Sequence, residues 1–108
     1  MKEKIHIGDF LWSLDNTDNI GKHILSGQLW EPHLINFIQS FLEPGNTCLD
    51  IGACFGWHTL YMSKQIGDSG IVYAFEPIIE NVELLNENIQ QNNIKNVQNL
   101  RKGIGRLK

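Results

Sequence analysis

Apolar positions along the chain follow two periods, and the places where the period changes lay out the elements. From Pro32, residues Leu34, Ile35, Ile38, Phe41 and Leu42 recur at helical spacing. Pro32 suits the first turn of that helix and Pro44-Gly45 ends it. Residues 47–51 are a short run, apolar except for Asp50 near its end, and residues 71–75 form a second, apolar throughout. Runs of this kind predict strands of a parallel sheet covered on both faces. Between them a helix is expected over residues 56–66, closed by Gly67-Asp68-Ser69-Gly70. Ile78, Val82, Leu85 and Ile89 then repeat at four, three and four, predicting a helix to about Gln91, with Asn92-Asn93 ending it. Residues 97–100 read as a third short strand, and Gly103 and Gly105 mark irregular backbone beyond it. Residues 5–14 alternate loosely and run into Asp15-Asn16-Thr17-Asp18-Asn19, which predicts one or two short strands with a turn.

Strand, helix, strand, helix, strand is one mononucleotide-binding half of a doubly wound α/β fold. The chain, of 108 residues, is read as one partial domain (1–108): a lead-in with a covering helix over 1–45, then a βαβαβ cofactor-binding half over 46–108. In the expected strand order 3-2-1, residues 47–51 lie at an open edge, so that either a partner covers it or the domain is truncated after the third parallel strand. A two-fold dimer through that edge is expected in preference to a monomer whose residues 5–14 fold back over it. The Asn/Gln-rich stretch over residues 86–99 is read as the polar outer face of a helix.

Composition narrows the classes. Apolar residues make up 42% and charged residues 19%, as in an ordinary soluble globule. A net charge of −3 argues against a nucleic-acid surface. Four of nine basic residues (Arg101, Lys102, Arg106, Lys108) crowd the last eight positions, but no aromatic interleaves them, and a solvated tail is the plainer reading. Cys48 and Cys54 show neither CxxC nor paired Cys/His spacing, so no metal and no disulfide is expected. A cytoplasmic location is expected, with no signal peptide and no membrane span.

The chemistry lies where strands end. Asp50-Ile51-Gly52-Ala53-Cys54-Phe55-Gly56 is a glycine turn running into a helix, and Glu76 closes the next strand 24 residues after Gly52. A dinucleotide turn needs glycine where Cys54 and Trp57 stand, which disfavours NAD and FAD, and no Gly-Lys-Ser/Thr follows to hold a phosphate. S-adenosylmethionine, which carries no phosphate, fits better. Glu76 is placed to take two ribose hydroxyls, and Asp50 puts negative charge near the ammonium and sulfonium.

With Leu-Asp-Ile-Gly-Ala-x-x-Gly-Trp-His-Thr, Val-Tyr-Ala-Phe-Glu-Pro and Glu-Asn-Ile-x-x-Asn-Asn, and with Gly27-Gln28-Leu29-Trp30-Glu31-Pro32 before them, the chain resembles the FkbM-type S-adenosylmethionine-dependent methyltransferases over residues 20–100. The resemblance implies a Rossmann-like methyltransferase fold. It also implies that Asp50, Gly52, Ala53, Cys54 and Gly56 surround the methionine part of the cofactor, that Glu76 holds the ribose, and that Pro77 and Ile78 lie against the adenine. Cys54 departs from the family's asparagine. Glu31 either reaches the methyl-transfer region or belongs to the helix start with Pro32, and His58 is a packed or exposed helix-start residue more readily than a base. Cys54 has no partner to activate it. The expected reaction is O-methyl transfer to a small-molecule or sugar acceptor, with the catalytic base unidentified. The alternatives are a non-catalytic cofactor-binding or assembly module and a nucleotide-dependent oxidoreductase.

Overall fold

A computed structural model describes residues 1–100, so the basic cluster and Gly103 and Gly105 lie outside the described residues. The chain opens with an antiparallel hairpin of β1 (Lys2–Ile7) and β2 (Phe10–Asp15), with Ile7 opposite Phe10. Its turn is Gly8-Asp9, where Gly8 takes a left-handed φ of 57°. The turn formers at residues 15–18 instead launch a helix the pattern did not predict, α1 (Asn19–Leu25), which Asp18 caps by accepting from Gly21 N–H at 3.0 Å. Three apolar residues (Ile20, Ile24, Leu25) on seven positions, fewer than two full turns, are too short a run to display a helical period.

Helix α2 (Pro32–Phe41) leads to β3 (Thr47–Ile51), α3 (Trp57–Ile66), β4 (Ile71–Phe75), α4 (Ile79–Gln91) and β5 (Val97–Leu100). The three later strands form a parallel sheet in the order β3-β4-β5, with Thr47 beside Ile71 and Val72 beside Val97. The first of them is therefore at the edge, as expected. One face of this sheet is packed throughout, and the other is covered only in part, at Phe75 on β4. Cys48, Asp50, Val72 and Ala74 are buried on the first face, with Ile66 and Leu85 among the helical residues against them. On the opposite face Leu49 and Ile51 stand 59% and 61% exposed. The expectation of a sheet covered on both faces is corrected accordingly. Nor does α2 lie over β3: it packs on α3, and an apolar groove of about 310 Å³, lined by Phe37, Phe41, Cys48 and Leu49, separates the two.

The principal core is aromatic and gathers around β2. Trp12, Leu14, Ile24 and Leu60 are wholly buried, and Trp12 meets Phe55 edge-on and Trp57 at 4.8 Å between ring centroids. Aromatic pairs in such arrangements add about 1 kcal/mol beyond area burial. The hairpin thus serves the helical side of the molecule and leaves the edge of β3 uncovered.

Helix α4 supplies the other surprise. Its Asn/Gln face is not an outer face. Asn88 is fully buried, accepting from Ser13 N–H at 2.7 Å and donating to Ser13 C=O at 3.2 Å and Phe55 C=O at 2.8 Å. Asn92 pairs both backbone groups of Leu11, and Gln91 also donates to Leu11 C=O. The side-chain amides replace a neighbouring strand: a buried strand edge needs a donor and an acceptor at each step, and a carboxamide carries both.

Candidate functional site

The end of β3 and the start of α3 are joined by a turn with three left-handed residues, Gly52 (φ 76°), Cys54 (φ 56°) and Gly56 (φ 100°). The turn is bound to the end of β4. Gly52 and Ala53 N–H both donate to Phe75 C=O, at 2.8 and 3.0 Å, and Cys54 N–H donates to the Glu76 carboxylate at 2.8 Å. Glu76 also accepts from Ile78 N–H and Asn81 Nδ2, at 3.1 and 3.3 Å, and is 4% exposed. A carboxylate offers about four acceptor positions, so one remains beyond these three donors, and an oxygen can be shared among further donors.

The two glycines differ in what their missing side chains spare. A Cβ on Gly56 would stand 2.7 Å from Leu85 Cδ1, so this glycine lets α3 and α4 close on the turn. A Cβ on Gly52 would meet nothing within 4 Å. Its open side is a cradle that a ligand could occupy against bare backbone.

Asp50 lies beneath, buried, accepting from the Thr59 hydroxyl at 2.5 Å. Burial pushes its carboxyl above the usual range, a shift opposed by the Thr59 hydrogen bond and by nearby His58. Burial likewise raises both thiols, Cys48 and Cys54, which disfavours the thiolate form, and both are free.

Over the turn opens a pocket of about 210 Å³ whose lining includes Trp30, Glu31, Gly52, Ala53, Cys54 and His58. The structure therefore brings four of the candidates, Glu31, Gly52, Ala53 and Cys54, onto one cavity. Asp50 and Glu76 support it from the strand ends, Gly56 packs inward, and Pro77 stands exposed outside it. Sequence reasoning gave His58 no place here, yet its Nε2 lies 3.3 Å from Glu31 Oε1. It also missed Asn81 on Glu76, which no local pattern marks. Among the described residues, no group of three or more His, Cys, Asp or Glu is placed to hold a metal ion, and no helix is long and apolar enough to cross a membrane.

A parallel sheet with a glycine turn after its edge strand and a buried carboxylate closing the next is the Rossmann-like fold of S-adenosylmethionine-dependent methyltransferases. An Aquifex aeolicus structure of a SAM dependent methyltransferase superposes with a TM-score of 0.61 at 30% identity, over 73% of this chain and 42% of that one. TYW2 of M. jannaschii, solved in complex with AdoMet, superposes with a TM-score of 0.74 over 98% of this chain and 45% of its own, and at 20% identity it speaks for the fold alone. Within that class, residues 14–107 match the family model of protein-L-isoaspartate(D-aspartate) O-methyltransferases, and the chain belongs to that family. A protein-L-isoaspartate O-methyltransferase of Methanothrix thermoacetophila is 32% identical over 68 residues, 61% of this chain and 32% of the relative. The chain thus spans about a third of that relative's length.

The resemblance to FkbM-type enzymes is overturned by this family match. The reason is physical. The glycine turn and the acidic strand end are features of the fold class; such residues mark the class and do not separate its families.

Proposed function

We propose that the chain binds S-adenosylmethionine over residues 52–56 and serves methyl transfer to a carboxylate of a protein, the free carboxylate of an isoaspartyl residue being an acceptor that the family's description names. This replaces the expected small-molecule or sugar acceptor. The observation that carries the reading is the buried Glu76 carboxylate, fixed by Cys54 N–H at the lip of an open glycine turn. Such a carboxylate, already held in place, accepts ribose hydroxyls without reorganising.

The cofactor would supply a methyl group on a sulfonium. The chain's part is then to hold and orient. Glu76 takes the ribose, Gly52 and Ala53 present bare or nearly bare backbone, Asp50 contributes negative charge beneath, and Pro77 and Ile78 border the adenine side. Cys54 contributes its backbone N–H, already committed to Glu76. In this reading residues 46–108 form the cofactor-binding half, and residues 1–45 the lead-in that delivers Glu31. A carboxylate acceptor also accounts for the missing base: its ordinary pKa is about 4, so at neutral pH it is already the nucleophile. Alignment for in-line displacement then supplies most of the rate, up to about 7 to 11 kcal/mol from proximity.

The apolar edge of β3 with exposed Leu49 and Ile51, next to the stacked Phe37 and Phe41, supports self-association as a two-fold dimer. Sedimentation at micromolar concentration tests it, and a stable monomer would remove this part of the reading. For the activity, labelled methyl transfer to an isoaspartyl peptide and to its aspartyl isomer is the test. Ester formed on the isoaspartyl peptide alone is expected. Transfer to neither, with S-adenosylhomocysteine still bound, would leave a binding module.

A further inference from the structure

Trp57 stands where a dinucleotide turn would carry its third glycine, and its side chain reaches back into the lead-in instead. The residue is 3% exposed, with its ring 4.8 Å from that of Trp12 and edge-on to that of Tyr61, so the aromatic core holds the indole in place. Its N–H donates to Trp30 C=O at 2.7 Å. A second tie on the segment that joins α1 to α2, His23 Nε2 at 3.2 Å from Leu29 C=O, lies at the surface.

The indole bond falls on a peptide whose orientation matters. Trp30 C=O belongs to the peptide plane that sets φ of Glu31, and Glu31 is left-handed, with φ 47° and ψ 56°. A residue with a side chain disfavours that region. Turning this one plane over would bring φ back to negative values and Glu31 toward the extended conformation usual for an N-cap, from which a carboxylate accepts from the first amides of its helix. In the structure Glu31 makes no such capping bond. Its carboxylate lies 3.3 Å from His58 Nε2, and Trp30 and Glu31 line the pocket together with Gly52.

We propose that Trp57 is a positioning residue: its indole N–H locks the Trp30–Glu31 peptide in the left-handed setting and so keeps Glu31 turned to the pocket instead of bonded to the start of α2. The role rests on the cofactor reading above and adds the residue that preforms one wall of that site. Without the indole N–H, Trp30 C=O loses its partner in a part-buried place, and a flip of the peptide relieves the strain at Glu31. Both changes favour the capped alternative. No contact between Trp57 and the cofactor is required.

Trp57→Phe removes the donor, and benzothienylalanine incorporated at the same position removes it without changing the size of the ring. In both variants the HN–Hα coupling of Glu31, which reports φ, should rise toward the value of extended backbone. Calorimetry should show S-adenosylhomocysteine bound about tenfold more weakly, the scale of one lost hydrogen bond. In a Glu31→Gln background Trp57→Phe should weaken binding by less than about twofold further, because it acts through residue 31. An unchanged Glu31 coupling, an unchanged affinity, or a loss of the same size in both backgrounds would overturn the role while the cofactor reading stood. Wild type that does not bind S-adenosylhomocysteine would overturn both.

Discussion

Two buried polar clusters in this molecule answer to different demands. At the hairpin, Asn88, Gln91 and Asn92 pair with the backbone of Leu11 and Ser13, and Asn88 also with Phe55, until the amides are used up. At the glycine turn, His58 Nε2 is unpaired, Glu76 has acceptor capacity left, and the space beside Gly52 is open. The acids show the same division. In the hairpin cluster Glu87, bonded by Lys2 and Ser13, is held below the usual carboxylate range, whereas Asp50 at the turn is pushed above it by burial. Saturated polar groups hold a fold together; groups left short of partners, in a site that also bends its backbone and opens onto a pocket, are what the proposed cofactor site would use.

The largest effect expected from this contrast is in the hairpin cluster. Asn88→Leu leaves Ser13 N–H, Ser13 C=O and Phe55 C=O without their partner, and at about 1 to 3 kcal/mol for each buried group left unpaired it should cost at least about 3 kcal/mol in chemical denaturation. A loss under about 1 kcal/mol would mean that the amides are dispensable and the comparison false.

The two glycines should separate next. Gly56→Ala forces a Cβ toward Leu85 in left-handed backbone, and about 2 to 3 kcal/mol of stability should go with it. Gly52→Ala meets no atom and carries only the backbone cost, about 1 kcal/mol, but its methyl enters the cradle, so cofactor affinity should fall by more than stability does. Denaturation curves and titrations of both variants check this, and equal affinity for wild type and Gly52→Ala would make Gly52 an ordinary loop residue.

The smallest effect is in the pH dependence. Asp50, raised in the folded state, favours folding below the unfolded carboxylate pKa and loses that contribution as pH rises through its folded value. Asp50→Asn should therefore be more stable than wild type at pH 7, with the gap closing toward pH 4. Glu87 is lowered, so its contribution is present above the unfolded value and lost on acidification; Glu87→Gln should destabilise at pH 7 and converge with wild type at low pH. Thermal melts across pH would show these opposite signs, and melts that moved together would remove the electrostatic side of the contrast.

What the sequence disclosed follows from range. The strands Thr47–Ile51, Ile71–Phe75 and Val97–Leu100 and the two helices around the turn were legible because their apolar periods are local. So were Asp50, Gly52 and Glu76, whose spacing is fixed by one βαβ unit. The inward Asn/Gln face was not, because it depends on a strand edge 75 or more residues away, and polarity alone points such a face at solvent. His58 escaped for the same reason: its meaning lies in Glu31, which belongs to another helix and 27 earlier positions. The family was misread because the residues that carried the resemblance mark the fold class as a whole and do not separate its families.

The central claim is that the cluster at the glycine turn is a ligand site and the cluster at the hairpin is not. The most direct measurement is the rise in melting temperature that S-adenosylhomocysteine produces in wild type, Glu76→Ala and Gln91→Ala. Wild type and Gln91→Ala should rise alike from different starting points, and Glu76→Ala should not respond. A response kept in Glu76→Ala, or lost equally in Gln91→Ala, would contradict the account.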